Sequence, residues 1–562
     1  MAYADVVLDH PSPGPLTYRL TPEVAGTAVL GSLVEVPLGR RTVPGVISGF
    51  RRRSPGAGLR FRSITRVLTD AAWAPPATLR LAKKVADYSL QPLGSCLFRL
   101  LPPAGKRSMA APGSTPPNRG LRPERIHLYG SARSRWEQYV TLAARALTAG
   151  QQVLIIAPHA SHTEILTGLR SISDRASVLT PGTPPGQQRT LAQALATGTC
   201  PVLIATRQAV GWPAHHLGVT IVDDVMHQSH TDDQRPYLDS ATIALLRSQL
   251  GEGHVILGST LPTFGMALSE HRGLAKRRLV GQREARVTLV APSGKDGLSE
   301  RARALLGSGT AAAPVGLIAP TQGLGGDLTC LACGHVVLCT ACGGRLDLRR
   351  GVASAQCLTC QASEILPAAC PQCQSHQLSV HGRGVQSLTE ALTRQSGPLP
   401  SVEVGTEQLV EAHPHFRALI FVSGDSPLAS PDLDRALRFL GRVKEASARA
   451  EELVIQTHQP DNPHWALLKS SPWAALDHLL AERARLNVPP YRRTLLLWGP
   501  ADRAPALPPS LGAIQQTLDH QGRAMIELLV PPRHWTATWQ TVQSLLPATW
   551  RYRVDSLLDW SA

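Results

Sequence analysis

The chain has 562 residues, 43% of them hydrophobic, enough to bury several cores and to divide into roughly three to five domains. Aromatic residues make up only 4% and charged residues 17%, while Gly (47) and Pro (46) are abundant, a loop-rich composition that is too apolar for global disorder. No run approaches the roughly eighteen apolar residues of a membrane span, and Met1 to Asp5 lacks both parts of a signal peptide, which argues against a secreted or integral membrane protein and predicts a cytoplasmic one.

The formal net charge is +16, and +11 of it falls in residues 1–128, where 18 Lys/Arg face 7 Asp/Glu. A field of that sign attracts phosphates, so nucleic acid is the leading partner, with a merely solubilising basic face as the plainer reading. In chain order, residues 1–105 alternate short β-like runs (Ala4 to Leu8, Leu33 to Pro37, Val43 to Ile47, Ile64 to Leu68) with Gly/Pro turns and then give a helix from Ala77 to Tyr88, which predicts a small β-rich domain. Residues 106–124, poor in apolar periodicity and rich in Pro and Gly, read as a linker.

From 125 to 290 fully apolar runs recur between helical stretches: Gln152 to Ala157, Val202 to Thr206, Val219 to Asp224 and Val255 to Ser259. Strands apolar on both faces belong to a parallel sheet covered by helices, hence an α/β lobe. The pattern returns at Val402 to Thr406, Ala418 to Val422 and Leu453 to Thr457, predicting a second α/β lobe from 291–324 and 381–460, interrupted by 325–380. Residues 461–562 read as an α+β domain with strands at Arg493 to Trp498 and Met525 to Val530.

The interruption holds eight of the ten cysteines, as four CxxC pairs: Cys330/Cys333, Cys339/Cys342, Cys357/Cys360 and Cys370/Cys373. Two tetrahedral Zn2+ sites with four thiolates each would use all eight, the metal standing in for a core that so short a segment cannot build. Disulfides are the alternative, disfavoured where no secretory signal is present. Cys96 and Cys200, alone among apolar neighbours, read as buried thiols.

The cysteine spacing, x2, x5, x2, x14, x2, x9, x2, resembles without a gap the zinc insertion of the bacterial PriA family, the primosomal replication-restart proteins of helicase superfamily 2. The resemblance implies nested sites: Cys330, Cys333, Cys370 and Cys373 on one zinc, Cys339, Cys342, Cys357 and Cys360 on the other. It extends to Leu16-Thr17-Tyr18 and Val34 to Arg40 in the front domain, Val202 to Ala209 and Gly258 to Thr263 in the first lobe, Gly405 to His413 in the second, and Leu480 to Pro490 in the tail. In the front domain it implies a DNA-binding surface of Leu16, Thr17, Gly39, Arg40, Arg41 and Arg62, receiving the 3′ end of a nascent strand. Tyr88 and Arg533 fall where the family docks the acidic tail of single-stranded DNA-binding protein. The family's winged helix is replaced here by the linker alone.

Three catalytic elements of the resemblance are degraded. In Gly130 to Glu137, Ala132 and Ser134 replace two glycines of the phosphate-binding loop, Arg135 stands at the lysine, and Trp136 replaces the magnesium-binding hydroxyl. The Asp-Glu-Glu-His box reads Asp224-Val225-Met226-His227, leaving Asp224 and His227 without either glutamate. The Gln-Val-Ala-Gly-Arg-Ala-Gly-Arg box reads Arg442 to Arg449, with Ala446 at the first arginine. The reading is a multidomain α/β protein: a β-rich DNA-binding front, two degenerate helicase-like lobes, an inserted two-zinc module and a C-terminal α+β domain. It would have no catalytic residues, only a degenerate nucleotide site near Arg135 and Asp224.

Its expected role is to bind forked or branched DNA at stalled replication forks and to recruit the replicative helicase or its loader and other primosome components. Two rivals stay open: an active, divergent ATP-dependent 3′-5′ DNA helicase, and a zinc-ribbon nucleic-acid-binding protein of RNA metabolism.

Overall fold

The computed structural model describes residues 2–10, 14–53, 60–69, 71–103, 123–158, 162–169, 174–232, 234, 236–281, 285–293, 297–320, 327–340, 346–348, 354–357, 363–381, 384–396, 401–428, 433–468, 472–511, 513–518, 523–547 and 549–554. The front domain is a five-stranded antiparallel sheet in the order Leu16–Arg19, Tyr3–Leu8, Arg41–Arg51, Leu33–Leu38, Arg66–Val67. Its alternation is legible: Ala4, Val6, Val34 and Val36 are buried, whereas Tyr3, Asp5 and Glu35 between them are not. Two helices follow, Pro76–Ser89 and Leu93–Leu100. Gly94 lets the second lie on the sheet, since a Cβ there would come within 1.8 Å of the Leu8 carbonyl oxygen. Leu81, Val85, Leu97 and Leu100 share one apolar cluster with Leu154 and Ile156 of the next unit, so the front domain is welded to it.

Lobe 1 is a seven-stranded sheet in the order Lys276–Leu279, Arg125–Tyr129, His254–Ser259, Leu217–Val222, Gln152–Ile156, Val202–Ala205, Ala176–Leu179, every neighbour parallel. Gln152–Ile156, Val202–Ala205 and Leu217–Val222 are buried along their whole length, the signature of strands covered on both faces. Lobe 2 is a five-stranded parallel sheet in the order Arg286–Val290, Ala450–Gln456, Phe416–Phe421, Val315–Ile318, Val402–Gly405.

Two expected boundaries move. Arg286–Val290 pairs with Ala450–Gln456 in lobe 2, so the lobe boundary lies before 286, not at 290. Helix Trp473–Leu486 buries Leu476, Leu479 and Leu480 in the lobe 2 core, so the C-terminal domain begins after it and not at 461. That domain is a four-stranded antiparallel sheet, Ala513–Leu518, Arg523–Val530, Arg493–Pro500, Arg551–Val554, with helix Trp535–Leu545. It docks on the front domain: Arg493 donates to the Tyr88 carbonyl oxygen at 2.7 Å and Tyr552 to that of Leu90 at 2.7 Å. The linker expected over 106–124 lies, save for its last two residues, outside the described residues. Among the described residues no helix is long and apolar enough to cross a membrane.

Candidate functional site

The cleft between the lobes is built on a turn of two residues. Strand Arg125–Tyr129 passes through Gly130 and Ser131 directly into helix Ala132–Thr148. Gly130 is confined, because a Cβ there would lie 2.3 Å from Val280 Cγ2. Ser131 caps its own helix, accepting from the Ser134 amide at 3.4 Å and donating to Ser134 Oγ at 3.0 Å. Such a turn has none of the successive open amides with which a glycine-rich loop cradles phosphates.

Arg135 runs back beneath the turn and is 2% exposed. Its Nη1 donates to the Gly130 carbonyl oxygen (2.7 Å) and Thr260 Oγ1 (3.2 Å), and its Nε donates to Asp223 Oδ1 at 2.7 Å. Asp223 also accepts from Tyr139 Oη at 2.6 Å and Trp136 Nε1 at 3.0 Å. Three side chains from two turns of one helix thus converge on a single carboxylate. Burial works against its charge, but the Arg135 guanidinium and these donors outweigh burial and hold the carboxyl below the ordinary carboxylate value. Burial, reinforced by Asp223, pushes the Tyr139 hydroxyl well up.

A degenerate nucleotide site was expected near Arg135 and Asp224; the carboxylate paired with Arg135 is that of the adjacent Asp223. The strand ends at Val222, two residues before the end of the expected run, and Asp223, just beyond it, is the residue that pairs with Arg135. Asp224 turns outward with φ of 50° and lies 3.7 Å from Arg442 of lobe 2. His227 sits at the rim, its Nδ1 accepting from the Ser229 amide at 3.1 Å, and burial lowers its pKa.

Lobe 2 closes over this floor with helix Leu433–Arg449. Glu445, at the first glycine of the degraded arginine box, reaches across: its Oε2 accepts from the Ala132 amide at 3.0 Å and from Thr260 Oγ1 at 3.4 Å. Ala446, at the missing arginine, is fully buried in the lobe 2 core, and Arg449 lies 3.4 Å from Glu445. A cavity of about 290 Å³ remains between the lobes, bordered by Trp136, Asp224, Arg438 and Arg442 among others. Asp223, Tyr139 and Glu445 were missed in the sequence, and Trp136 was read only as a lost hydroxyl. A signal for Trp136 and Tyr139 was available: with Arg135 they share the inner side of an amphipathic helix.

The outer cysteines come together. The sulfur atoms of Cys330, Cys333, Cys370 and Cys373 lie within 4.8 Å of one another, with Cys330 to Cys373 at 3.6 Å and Cys333 to Cys370 at 3.7 Å. Sulfurs about 2.3 Å from a tetrahedral ion stand roughly 3.8 Å apart, so the set fits one metal ion with no open position. Each pair forms the same knuckle: the Gly334 amide donates to the Cys330 carbonyl oxygen (2.8 Å) and the Gln374 amide to that of Cys370 (2.9 Å), both donors at positive φ. Strands Asp327–Cys330 and Leu378–His381 bring the knuckles into register.

Burial raises the Cys330 thiol, but the Cys333 and Ala332 amides and neighbouring sulfurs outweigh it and bring it down to about 7. Cys333, despite a hydrogen bond from the His335 amide, is pushed up to about 12 by burial and the sulfurs around it. Of the inner set, Cys339 and Cys357 are buried in the module's apolar cluster, and Cys342 and Cys360 lie outside the described residues.

In the front domain, Arg62 Nη1 donates to the Gly39 carbonyl oxygen at 2.5 Å, and Gly39, at φ of 60°, has open space where a side chain would stand. Arg40 and Arg41 are exposed on the same hairpin. Thr17 is not in this group. Opposite Asp5 in the strand register, it donates to Asp5 Oδ1 at 2.7 Å, while Tyr18 beside it points into the core; Leu16 is half-buried against that core. Arg51 and Arg66, on the same basic front domain, pair with Asp5 (2.7 Å) and Glu35 (2.6 Å). Tyr88 lies beneath Arg493, whose guanidinium sits 4.2 Å from its ring and 3.8 Å from that of Trp535, just after the exposed Arg533.

Residues 5–102 match the family model of the PriA 3′ DNA-binding domain. The replication restart protein PriA of Treponema pallidum is 23% identical over 88% of this chain and 86% of its own length. That of Synechocystis is 25% identical over 64% of this chain, which covers half of that relative. Among solved structures, the Mycobacterium smegmatis helicase Lhr bound to ssDNA and AMP-PNP aligns with 74% of this chain and 57% of that one at 14% identity, with a TM-score of 0.33. Two parallel α/β lobes behind a 3′-DNA-binding-type front domain, with a four-cysteine cluster inserted in the second lobe, define a multidomain α/β DNA-binding protein. Within that class the chain is similar to the replication restart proteins PriA, whose 3′ DNA-binding domain its residues 5–102 match.

Proposed function

We propose that the protein acts in replication restart as a scaffold without a motor: it holds forked or branched DNA at stalled forks and recruits the replicative helicase or its loader. The observation that carries the absence of a motor is the Arg135–Asp223 pair, in which the arginine at the position of the phosphate-binding lysine is neutralised by a buried carboxylate. With Glu445 on the Ala132 amide, the groups that would receive a triphosphate and its metal already have partners from this chain.

DNA contact would come from Gly39, Arg40, Arg41 and Arg62, supported by the first three sharing one hairpin turn to which Arg62 is hydrogen-bonded. Arginine beside an open glycine gives phosphate contact with close backbone approach. Specificity for a free 3′ end would be reduced, because Thr17 faces Asp5 rather than this group. Cys330, Cys333, Cys370 and Cys373 would hold one Zn2+, and Cys339, Cys342, Cys357 and Cys360 a second. With four thiolates per ion and no open position, each ion would staple the module and not activate water. Single-stranded DNA-binding protein is the partner expected at the Tyr88–Arg533 seam.

The test is purified full-length protein with ATP, Mg2+ and a synthetic fork carrying a 3′ arm. Phosphate release stays at the no-enzyme background while electrophoretic titration shows tighter binding to the fork than to linear duplex. Fork-stimulated hydrolysis abolished by Asp223→Asn would instead establish an active helicase, and equal affinity for fork and linear duplex would remove the scaffold role.

A further inference from the structure

The lobes are joined by more than apolar contact. Leu261, Phe264 and Ala267 of lobe 1 lie in the same buried cluster as the lobe 2 core, and a Cβ on Gly441 would come within 2.8 Å of Met226 Cε, so helix Leu433–Arg449 sits hard against lobe 1. At the centre of this seam Glu445, 6% exposed, accepts from the Ala132 amide and the Thr260 hydroxyl. Ala132 is the first residue of its helix, and its amide has no acceptor within that helix. Helix starts favour negative charge, and here the charge comes from the opposite lobe of the same chain. At the rim Arg442 bridges the lobes, 3.7 Å from Asp224 of lobe 1 and 2.9 Å from Glu411 of lobe 2.

We infer that Glu445 is an interlobe latch: its carboxylate takes the position of an anionic ligand at the start of helix Ala132–Thr148 and holds the two lobes in one fixed relation that ATP does not alter. The inference rests on the reading of the cleft as occupied by the chain's own charges. A motor that opens and closes needs the anion to come and go; a carboxylate fixed to lobe 2 stays. The DNA-binding front domain, welded to lobe 1, and the cysteine module, inserted in lobe 2, are then kept at constant separation.

The Ala132 amide reports the latch directly, because Glu445 is its acceptor. Hydrogen exchange of the full-length protein, followed by mass spectrometry on peptides covering 130–136, shows slow exchange at this amide in the wild type. Glu445→Ala speeds it by about ten- to hundredfold, the range expected for losing a hydrogen bond to a charged group. Peptides of the front domain are unchanged. Millimolar ATPγS with Mg2+ leaves wild-type exchange as it was. Unaltered exchange in Glu445→Ala, or a wild-type pattern remodelled by ATPγS, overturns the inference.

If Glu445→Ala loses protection throughout the chain it has unfolded, and Glu445→Gln decides: the uncharged acceptor gives an intermediate rate if the latch is real and the wild-type rate if it is not. Fork affinity is a separate readout. Protein that fails to prefer forks but deprotects Ala132 on substitution sinks the proposed function and leaves the latch standing.

Discussion

The cysteine cluster and the interlobe cleft each gather distant segments around a small polar centre, and they answer its charge in opposite ways. Four thiols within 4.8 Å cannot all ionise on their own: one is drawn down to about 7 while its neighbour is pushed up to about 12. That centre is incomplete without a cation. In the cleft every central charge meets another from the chain, Arg135 with Asp223 and Glu445 with the helix start. That centre is complete without a ligand. A set of four thiolates would depend on a metal to hold the local fold, whereas on the proposed reading the cleft is closed by side chains that join the lobes.

Metal removal is the sharpest way to break this comparison. Chelation, or Cys370→Ser, should release the ion whose binding contributes on the order of 10 kcal/mol to such modules and deprotect residues 327–381 in hydrogen exchange, while the lobes stay folded. A module that stays protected after its metal content has fallen to zero would make the two centres alike.

The cleft comes next. Asp223→Ala strands Arg135, a buried guanidinium, and should lower unfolding stability in urea by about 3–5 kcal/mol. Replacing both partners, Arg135→Met with Asp223→Leu, should recover most of that loss, because desolvation of both charges is removed together. No recovery would mean that the hydrogen bonds to Gly130, Thr260 and Tyr139 matter more than the pair.

Acid gives a smaller, two-stage effect. Burial lowers the pKa values of His227, His230 and His464, so these rings are neutral when folded and take up protons more readily when unfolded. Their contribution is fully present above the ordinary histidine value of about 6.5 and declines as pH falls below it. Asp223, held below its ordinary value, contributes above about 3.9, and that contribution goes only as pH falls further. Melting temperature should therefore fall first between about pH 6.5 and 5 and again below about pH 4. A melting temperature that is constant between pH 7.5 and 5 would mean that the buried rings are not neutral.

The smallest effect belongs to the exposed hairpin. Arg41→Ala should leave the melting temperature unchanged and reduce the slope of log affinity against log salt by about 0.9, one phosphate contact. Arg66→Ala, whose partner is Glu35, should leave that slope alone. Equal loss from both would show that net charge and not the hairpin governs DNA binding.

The parallel strands were legible because burial on both faces leaves continuous apolar runs, as in Gln152–Ile156 and Val202–Ala205. Among the strands missed, Leu16–Arg19, Arg125–Tyr129 and Lys276–Leu279 are partly polar and owe their conformation to the neighbours they pair with, while the wholly buried Val315–Ile318 is only four residues long, too short a run to stand out. The degraded loop was visible in the substitutions at 132, 134, 135 and 136; what filled it was not. Asp223 and Asp224 are adjacent and chemically equivalent, and the turn of the backbone just after the strand, with Asp224 at φ of 50°, decides which of them points inward.

By itself the sequence determined the two-lobed architecture and the four cysteine pairs, because strand burial and metal-ligand spacing are written in neighbouring residues and short covalent intervals, while the resemblance to PriA implied which pairs come together. The tertiary structure alone decided which charges meet: Arg135 finds Asp223 across 88 positions and Ala132 finds Glu445 across 313. Such contacts leave no periodic trace in the chain, since an ion pair needs only that two side chains arrive at the same point, and where they arrive is set by how the sheets pack.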